Sequence, residues 1–205
     1  MKSALEQVTD VKPIQLDMQG WHSTEPLFKT LIDETQPKRI IEVGSWKGAS
    51  AIHMASLTKD LGTCIYCVDT WMGGVDHMIA NEQGFMPENN HIQRNDGYPN
   101  IYHQFMFNVK QSGFGDRIFP IPQTSTNAAR YLSTKCLLAE LIYIDGSHEL
   151  EDVLMDIIMY SRLLTKGGVI FGDDYSFPGV AEAVKQYAKM KKVSAYTEND
   201  FWIIK

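Results

Sequence analysis

Three carboxylates and one imidazole have the residue types and spacing for chemistry. Asp145 closes one short apolar run, Asp173 and Asp174 close another, and His148 follows Asp145 by three residues. If those runs are neighbouring parallel strands, the three aspartates crowd the carboxyl edge of one sheet, where open α/β sheets bind ligands. Crowded anions are costly unless a cation or protons neutralise them. Hard oxygen ligands of this kind favour Mg²⁺, with water and substrate oxygens completing an octahedron. A competing reading has two of the aspartates capping loops with no metal. His148, with an ordinary pKa of about 6.5, suits proton removal near neutrality. A helix-capping histidine, or one that orients a metal ligand, would look the same in sequence.

A second constellation is Glu42-Val-Gly44-Ser-Trp46-Lys-Gly48-Ala-Ser50. It sits where a strand gives way to a helix, so backbone N–H groups and a helix N-terminus converge there on a ligand. Gly44 and Gly48 allow a tight turn and close approach to the backbone. The Gly-x-x-x-Gly spacing is not that of dinucleotide sites, and Glu42 would repel a pyrophosphate while suiting a cationic ligand. Asp69 ends the next apolar run, where a carboxylate can accept from both hydroxyls of a ribose. A tight strand–helix turn with an unrelated capping aspartate is the plainer alternative.

These residues need a scaffold that brings strand ends together. Apolar runs at Arg39–Val43, Thr63–Asp69, Ile118–Ile121, Leu141–Asp145 and Val169–Asp173 alternate with amphipathic helical stretches. That is the pattern of a doubly wound parallel sheet with helices on both faces. Helices are expected from Pro26, over Ala49–Leu57, through Ala128, Ala129 and Leu132, from Leu150 to Leu164 with Gly167-Gly168 as its stop, and over Gly179–Met190. Val193–Tyr196 and Phe201–Ile204 read as two closing strands, giving seven in all. Residues 1–36 read as an N-terminal helical cap. From Trp71 to about Asn100 the chain is rich in Gly, Asn, Met and His without a period, so residues 71–117 read as an insertion after strand two. A substrate-covering lid and a mobile surface loop are equally good accounts of it.

With 205 residues, of which 44% are hydrophobic, one domain with a substantial core is expected. Nineteen Lys and Arg against 25 Asp and Glu give a formal charge of −6, which argues against a nucleic-acid partner. Three cysteines, an odd number, suit a reducing cytoplasm. Cys64 and Cys67 have redox or zinc spacing, but in a strand residues three apart face opposite sides, so buried structural thiols are favoured. No apolar run reaches membrane-spanning length and no secretory h-region is evident.

Taken in order, Arg39-Ile-Ile-Glu-Val-Gly-Ser-Trp-Lys-Gly-Ala-Ser-Ala51, Val68-Asp-Thr-Trp71, Ile144-Asp-Gly-Ser-His148 and Leu164-Thr-Lys-Gly-Gly-Val-Ile-Phe-Gly-Asp-Asp174 resemble the class I S-adenosylmethionine-dependent methyltransferases. More narrowly, they resemble the metal-dependent O-methyltransferases, the group of catechol O-methyltransferase and the bacterial macrolide-sugar O-methyltransferases. The resemblance spans about residues 20–190 and implies a Rossmann-like, mostly parallel seven-stranded sheet. It implies that Glu42, Gly44, Trp46 and Gly48 line the methionine end of S-adenosylmethionine and that Ser50 meets its carboxylate. It further implies that Asp69 takes the ribose, that Thr70 and Trp71 flank the adenine, and that Ser125 contacts the adenine edge. Trp46 and Trp71 read equally as core aromatics. Asp145, Asp173 and Asp174 would hold Mg²⁺ or another divalent cation, with Asp145 also beside the cofactor. Catechol methyltransferases carry Asn where Asp174 stands and a lysine base where His148 stands, whereas the sugar branch is similar in having Asp.

The expected activity is transfer of a methyl group to a hydroxyl oxygen of a sugar, or of a vicinal diol or catechol-like acceptor, with His148 and Asp145 as catalytic groups. A nicotinamide-dependent oxidoreductase and a non-catalytic S-adenosylmethionine-binding module are the rivals. The expected partner is a small molecule, with no nucleic acid and no membrane, and a homodimer is left open.

Overall fold

A computed structural model describes residues 1–4, 14–74, 92 and 94–205. Helix α1 (Pro26–Thr35) leads into β1 (Arg39–Val43), α2 (Ala49–Leu57) and β2 (Cys64–Asp69). A two-residue ribbon, β3 (Arg94–Asn95) and β4 (Tyr98–Pro99), precedes α3 (Ile101–Ser112). Then follow β5 (Ile118–Pro122), α4 (Ser125–Thr134), β6 (Ala139–Ile144), α5 (Leu150–Tyr160), β7 (Leu164–Gly172), α6 (Pro178–Lys191), β8 (Ala195–Glu198) and β9 (Phe201–Ile204).

The seven-stranded sheet runs β5-β2-β1-β6-β7-β9-β8. Its first five strands are parallel, and β9 lies antiparallel to both neighbours. Strand alternation sorts the core into two layers. Ile40, Ile65, Cys67, Leu141, Tyr143 and Phe171 face α1, α2 and α3, while Ile41, Val43, Val68, Ile142 and Ile170 face α4, α5 and α6. Phe28 of α1 meets Tyr143, Phe171 and Phe201 edge-on at 5.0–5.9 Å between ring centroids, which locks that helix over the sheet centre. Strand order reverses between β1 and β6, so the ligand crevice of such sheets lies at their carboxyl ends.

Three expectations change. Of the N-terminal cap, α1 covers 26–35, whereas residues 14–24 form an irregular strap, and residues 5–13 lie outside the described residues. Residues 75–91 of the expected insertion, with His77 and His91, also lie outside them, but its far end is α3, an ordinary core helix with Phe105 and Val109 fully buried. Gly167-Gly168 do not stop a helix. Helix α5 ends at Tyr160, and β7 passes through both glycines beside a register shift opposite Ala139 and Leu141. A Cβ on Gly168 would lie 2.9 Å from the Glu140 carbonyl, and Gly167 has φ +81°, so the pair serves a strand irregularity.

Cys64, Cys67 and Cys136 are free thiols. Cys67 is buried, and burial, together with the charge of Glu42, pushes its thiol well above the usual range, as suits a structural cysteine. Among the described residues no helix is long and apolar enough to cross a membrane.

Candidate functional site

Backbone hydrogen bonds extend the parallel ladders one residue past the strands and so fix the site. Gly44 N–H donates to Val68 O (2.9 Å), Asp145 N–H to Val43 O (2.8 Å) and Asp173 N–H to Ile144 O (3.2 Å). The ends of β2, β1, β6 and β7 are thereby tied in series, and Asp69, the Gly44 turn, Asp145 and Asp173 stand along one edge. Gly44 has φ +84°, and a Cβ there would fall 1.8 Å from the Asp145 carbonyl oxygen. Gly48 has φ +87°, and a Cβ there would touch the Phe105 ring at 3.0 Å. Both glycines are required by protein packing at the crossing, beyond any approach of a ligand.

Glu42 is fully buried and shares a face with Ile40. Ser45 Oγ donates to its Oε2 (2.5 Å) and Ser50 Oγ to its Oε1 (2.6 Å). Burial pushes this carboxyl up, and the two serine hydroxyls pull it back toward the ionised form. Ser50, expected beside a cofactor carboxylate, donates its hydroxyl to Glu42. Asp69 accepts from Ser45 N–H (3.0 Å), Trp46 N–H (2.8 Å) and Trp71 N–H (2.7 Å). Burial raises its pKa and these backbone donors lower it. The Thr70 N–H also favours its ionised form, so a ribose hydroxyl would share the carboxylate's roughly four acceptor positions with these donors. Thr70 is exposed, and its Oγ1 accepts from Met72 N–H. Trp71 is a core aromatic, 2% exposed, packed on Tyr102 and Phe105 with its indole N–H on the Trp46 carbonyl. Trp71 thus presents no ring at the surface of the edge, where Thr70 and Met72 are exposed. Ser125 also turns inward: its hydroxyl bonds Asp156 on α5, and its carbonyl accepts from Tyr160 Oη at 2.8 Å.

The three aspartates line one small cavity of about 10 Å³, room for a single water-sized sphere. Each also has its own donor. Tyr143 Oη donates to Asp145 Oδ2 (2.9 Å), His22 Nδ1 lies 3.0 and 3.2 Å from the two Asp173 oxygens, and His148 Nε2 lies 2.8 Å from Asp174 Oδ2. Burial, and then the charges of Asp173 and Asp174, push the Asp145 carboxyl well above the usual range. Burial is also the main reason that Asp173 is pushed up to about 6. Asp174 holds φ +63°, a left-handed conformation uncommon for a residue with a Cβ. His148 stacks on Phe177 at 4.2 Å, with its Nε2 facing Asp174.

Sequence reasoning passed over the strap. Lys47, almost wholly buried, pairs through Nζ with Asp17 at 2.6 Å. Trp46 donates its indole N–H to Gln19 (2.7 Å) and lies 5.8 Å from the Trp21 ring. His22 reaches Asp173 from the same segment, and on the far side Asp200 accepts from Ser176 N–H and Oγ at 2.6 and 3.0 Å. Among the described residues, one grouping of possible metal ligands has all its ligand atoms within 4.8 Å of one another: His22, Asp173 and Asp200. The trio Asp145, Asp173 and Asp174 is not such a grouping; Asp145 is bonded by Tyr143 and Asp174 by His148. Single histidines in irregular segments carry no periodic signal, which is why His22 was not legible.

A sheet whose order reverses beside a glycine turn, with carboxylates on adjoining strand ends, defines a ligand-binding α/β domain of the class I methyltransferase type. The chain matches the family model described as "Methyltransferase domain" over residues 41–175 and belongs to that family. It is 24% identical over 188 residues to an uncharacterized protein of Acanthamoeba polyphaga mimivirus, covering 90% of this chain and 73% of that protein. Similar solved structures include an O-methyltransferase from Bacillus cereus in complex with SAH, at TM-score 0.60 and 15% identity, covering 93% of this chain and 82% of that one. Another is CalS11, a TDP-rhamnose 3′-O-methyltransferase of calicheamicin biosynthesis, at TM-score 0.61 and 17% identity, covering 92% and 81%.

Proposed function

We propose that this chain transfers a methyl group from S-adenosylmethionine to a hydroxyl oxygen of a small molecule with two adjacent oxygens, a sugar or a catechol-like diol, assisted by a divalent metal. The observation that carries the reading is the meeting of two carboxylate groups at one sheet edge: Glu42 and Asp69 around the Gly44 turn, and Asp145, Asp173 and Asp174 one strand further on. In support, the similar Bacillus cereus protein is an O-methyltransferase holding SAH and the similar CalS11 methylates a sugar nucleotide.

The residues fit the cofactor. Asp69 would offer its carboxylate to a ribose hydroxyl, and Glu42, in its ionised form, would place negative charge near a cationic ligand. S-adenosylmethionine supplies an electrophilic methyl on a sulfonium. The residues also fit a metal, since the donor set around Asp173 is carboxylate and imidazole. A divalent ion held there would supply Lewis-acid assistance to the acceptor's deprotonation. The chain's own task is then to hold the acceptor oxygen in line with the methyl and to exclude water. Trp21, Met72 and Phe177 are exposed large side chains on segments flanking this edge and give the acceptor an apolar rim. His148 Nε2, 2.8 Å from Asp174 Oδ2, is placed to orient that carboxylate at the cavity wall.

The test is methyl transfer from labelled S-adenosylmethionine to a panel of vicinal diols, sugar nucleotides and catechols, with and without a chelator. Transfer that is lost on chelation is expected. Absence of S-adenosylhomocysteine binding in calorimetry would overturn the cofactor assignment, and full transfer after chelation would overturn the metal's part in it.

A further inference from the structure

The reading of a metal at Asp173 leaves its remaining ligands open, and residues far apart in sequence meet there. His22 comes from the N-terminal strap, Asp173 follows β7, and Asp200 sits in the turn between β8 and β9. We propose that His22, Asp173 and Asp200 form a divalent transition-metal site that clasps the strap and the closing hairpin to the end of β7.

The spacing suits one ion. Two ligands about 2.1 Å from a metal and at right angles to each other stand about 3.0 Å apart. His22 Nδ1 lies 3.0 Å from Asp173 Oδ2, and all three donor atoms fall within 4.8 Å. The burial gradient also suits it: Asp173 is buried, Asp200 half-buried and His22 exposed, so the ion would be anchored from within and open to water on one side. Asp200 is held by Ser176 N–H and Oγ, and Asp173 Oδ1 by the N–H of Asp174, so two of the ligands are oriented by bonds that leave carboxylate lone pairs over. His22 holds φ +43° next to the site, a conformation of the kind that accumulates at ligand-binding positions.

The chemistry separates this site from the all-carboxylate one. An imidazole with two carboxylates prefers Mn²⁺, Fe²⁺, Co²⁺ or Zn²⁺ over Mg²⁺, which takes oxygen ligands. The site would also couple metal to cofactor access. The strap that carries His22 is the one whose Asp17 and Gln19 grip Lys47 and Trp46 on the cofactor turn.

The inference rests on the proposed methyl transfer for what the ion does, and not for whether it binds. The experiment therefore uses the full chain without cofactor or acceptor. Mn²⁺ and Mg²⁺ are titrated by calorimetry, and bound Mn²⁺ is examined for a directly coordinated nitrogen by electron spin-echo modulation. Wild type is expected to bind Mn²⁺ at least tenfold more tightly than Mg²⁺ and to show the nitrogen signal. H22A is expected to lose that signal and to weaken Mn²⁺ by at least about tenfold, as for a lost ligand. D200N, which keeps an acceptor oxygen for Ser176, should weaken it comparably; if it fails to fold, exposed His22 decides alone. H148A should keep the nitrogen signal. No Mn²⁺ binding by wild type overturns the proposal. So does a wild-type response from H22A, whether or not D174N loses the ion; its loss in D174N would assign the metal to the Asp145 and Asp174 cavity, and its retention would leave the His22–Asp173 contact as a simple ion pair.

Discussion

Asp69 accepts from the N–H groups of Ser45, Trp46 and Trp71, with Thr70 N–H also favouring its charge, so its carboxylate shapes the turn at which the proposed ribose contact would form. Removing it strands donors of Ser45, Trp46 and Trp71, each of which costs about 1–3 kcal/mol where water cannot replace the acceptor. D69A is therefore expected to lose stability in denaturant titration and also to bind S-adenosylhomocysteine about 10- to 100-fold more weakly. Weaker binding with unchanged stability would mean that the three N–H bonds are replaced by water. His148 is decided by a different measurement, because its Nε2 lies against Asp174. H148A is expected to need more metal for activity and to recover most of its rate at high metal concentration. A deficit that metal does not relieve, and that shrinks as pH rises, would instead make His148 the proton acceptor.

At the scale of elements, the parallel strands were legible because β1, β2 and β6 are short apolar runs ending in acidic or glycine residues, the pattern of strands buried on both faces. Helix α3 was not, because two of its buried positions are polar. Gln104 Nε2 reaches the Gln15 carbonyl, and Asn108 Nδ2 reaches the carbonyls of Asp17 and Lys47, so the inward stripe serves the strap as well as the core. Sequence periodicity cannot tell such residues from a solvent face. The same blindness hid Asp156, a buried carboxyl between α5 and α4 that burial pushes up to about 6. A carboxyl whose pKa is higher folded than unfolded holds its proton more tightly in the native state. Its stabilising effect is present below about pH 4 and is lost as pH rises toward 6. D156N, which still offers an acceptor to Ser125, is expected to be more stable than wild type at pH 7–8, by of order 2–3 kcal/mol, with the difference vanishing near pH 4. Thermal unfolding of the pair across that range checks it, and a difference independent of pH would contradict the burial argument.

For the whole molecule, the cofactor choice follows from how two ends of the chain and the sheet edge close on one turn. A dinucleotide-binding fold uses its glycines to bring pyrophosphate against bare backbone. Here the space beside Gly44 is taken by the Asp145 carbonyl and that beside Gly48 by Phe105, while Glu42 places a carboxylate beneath the turn. The space beside both glycines is thus filled by the protein itself, and Glu42, in its ionised form, would oppose a diphosphate. A sulfonium ligand carrying an ammonium would meet no such penalty, and Asp69 is the proposed partner of its ribose. S-adenosylhomocysteine at about a hundred times its Kd should therefore stabilise the native state by about 2.7 kcal/mol, which for 205 residues corresponds to a Tm rise of about 5–10 °C. NAD at the same concentration should leave Tm unchanged. A rise with NAD and none with S-adenosylhomocysteine would show that the turn opens to accept a pyrophosphate, and the charge argument built on Glu42 would fall with it.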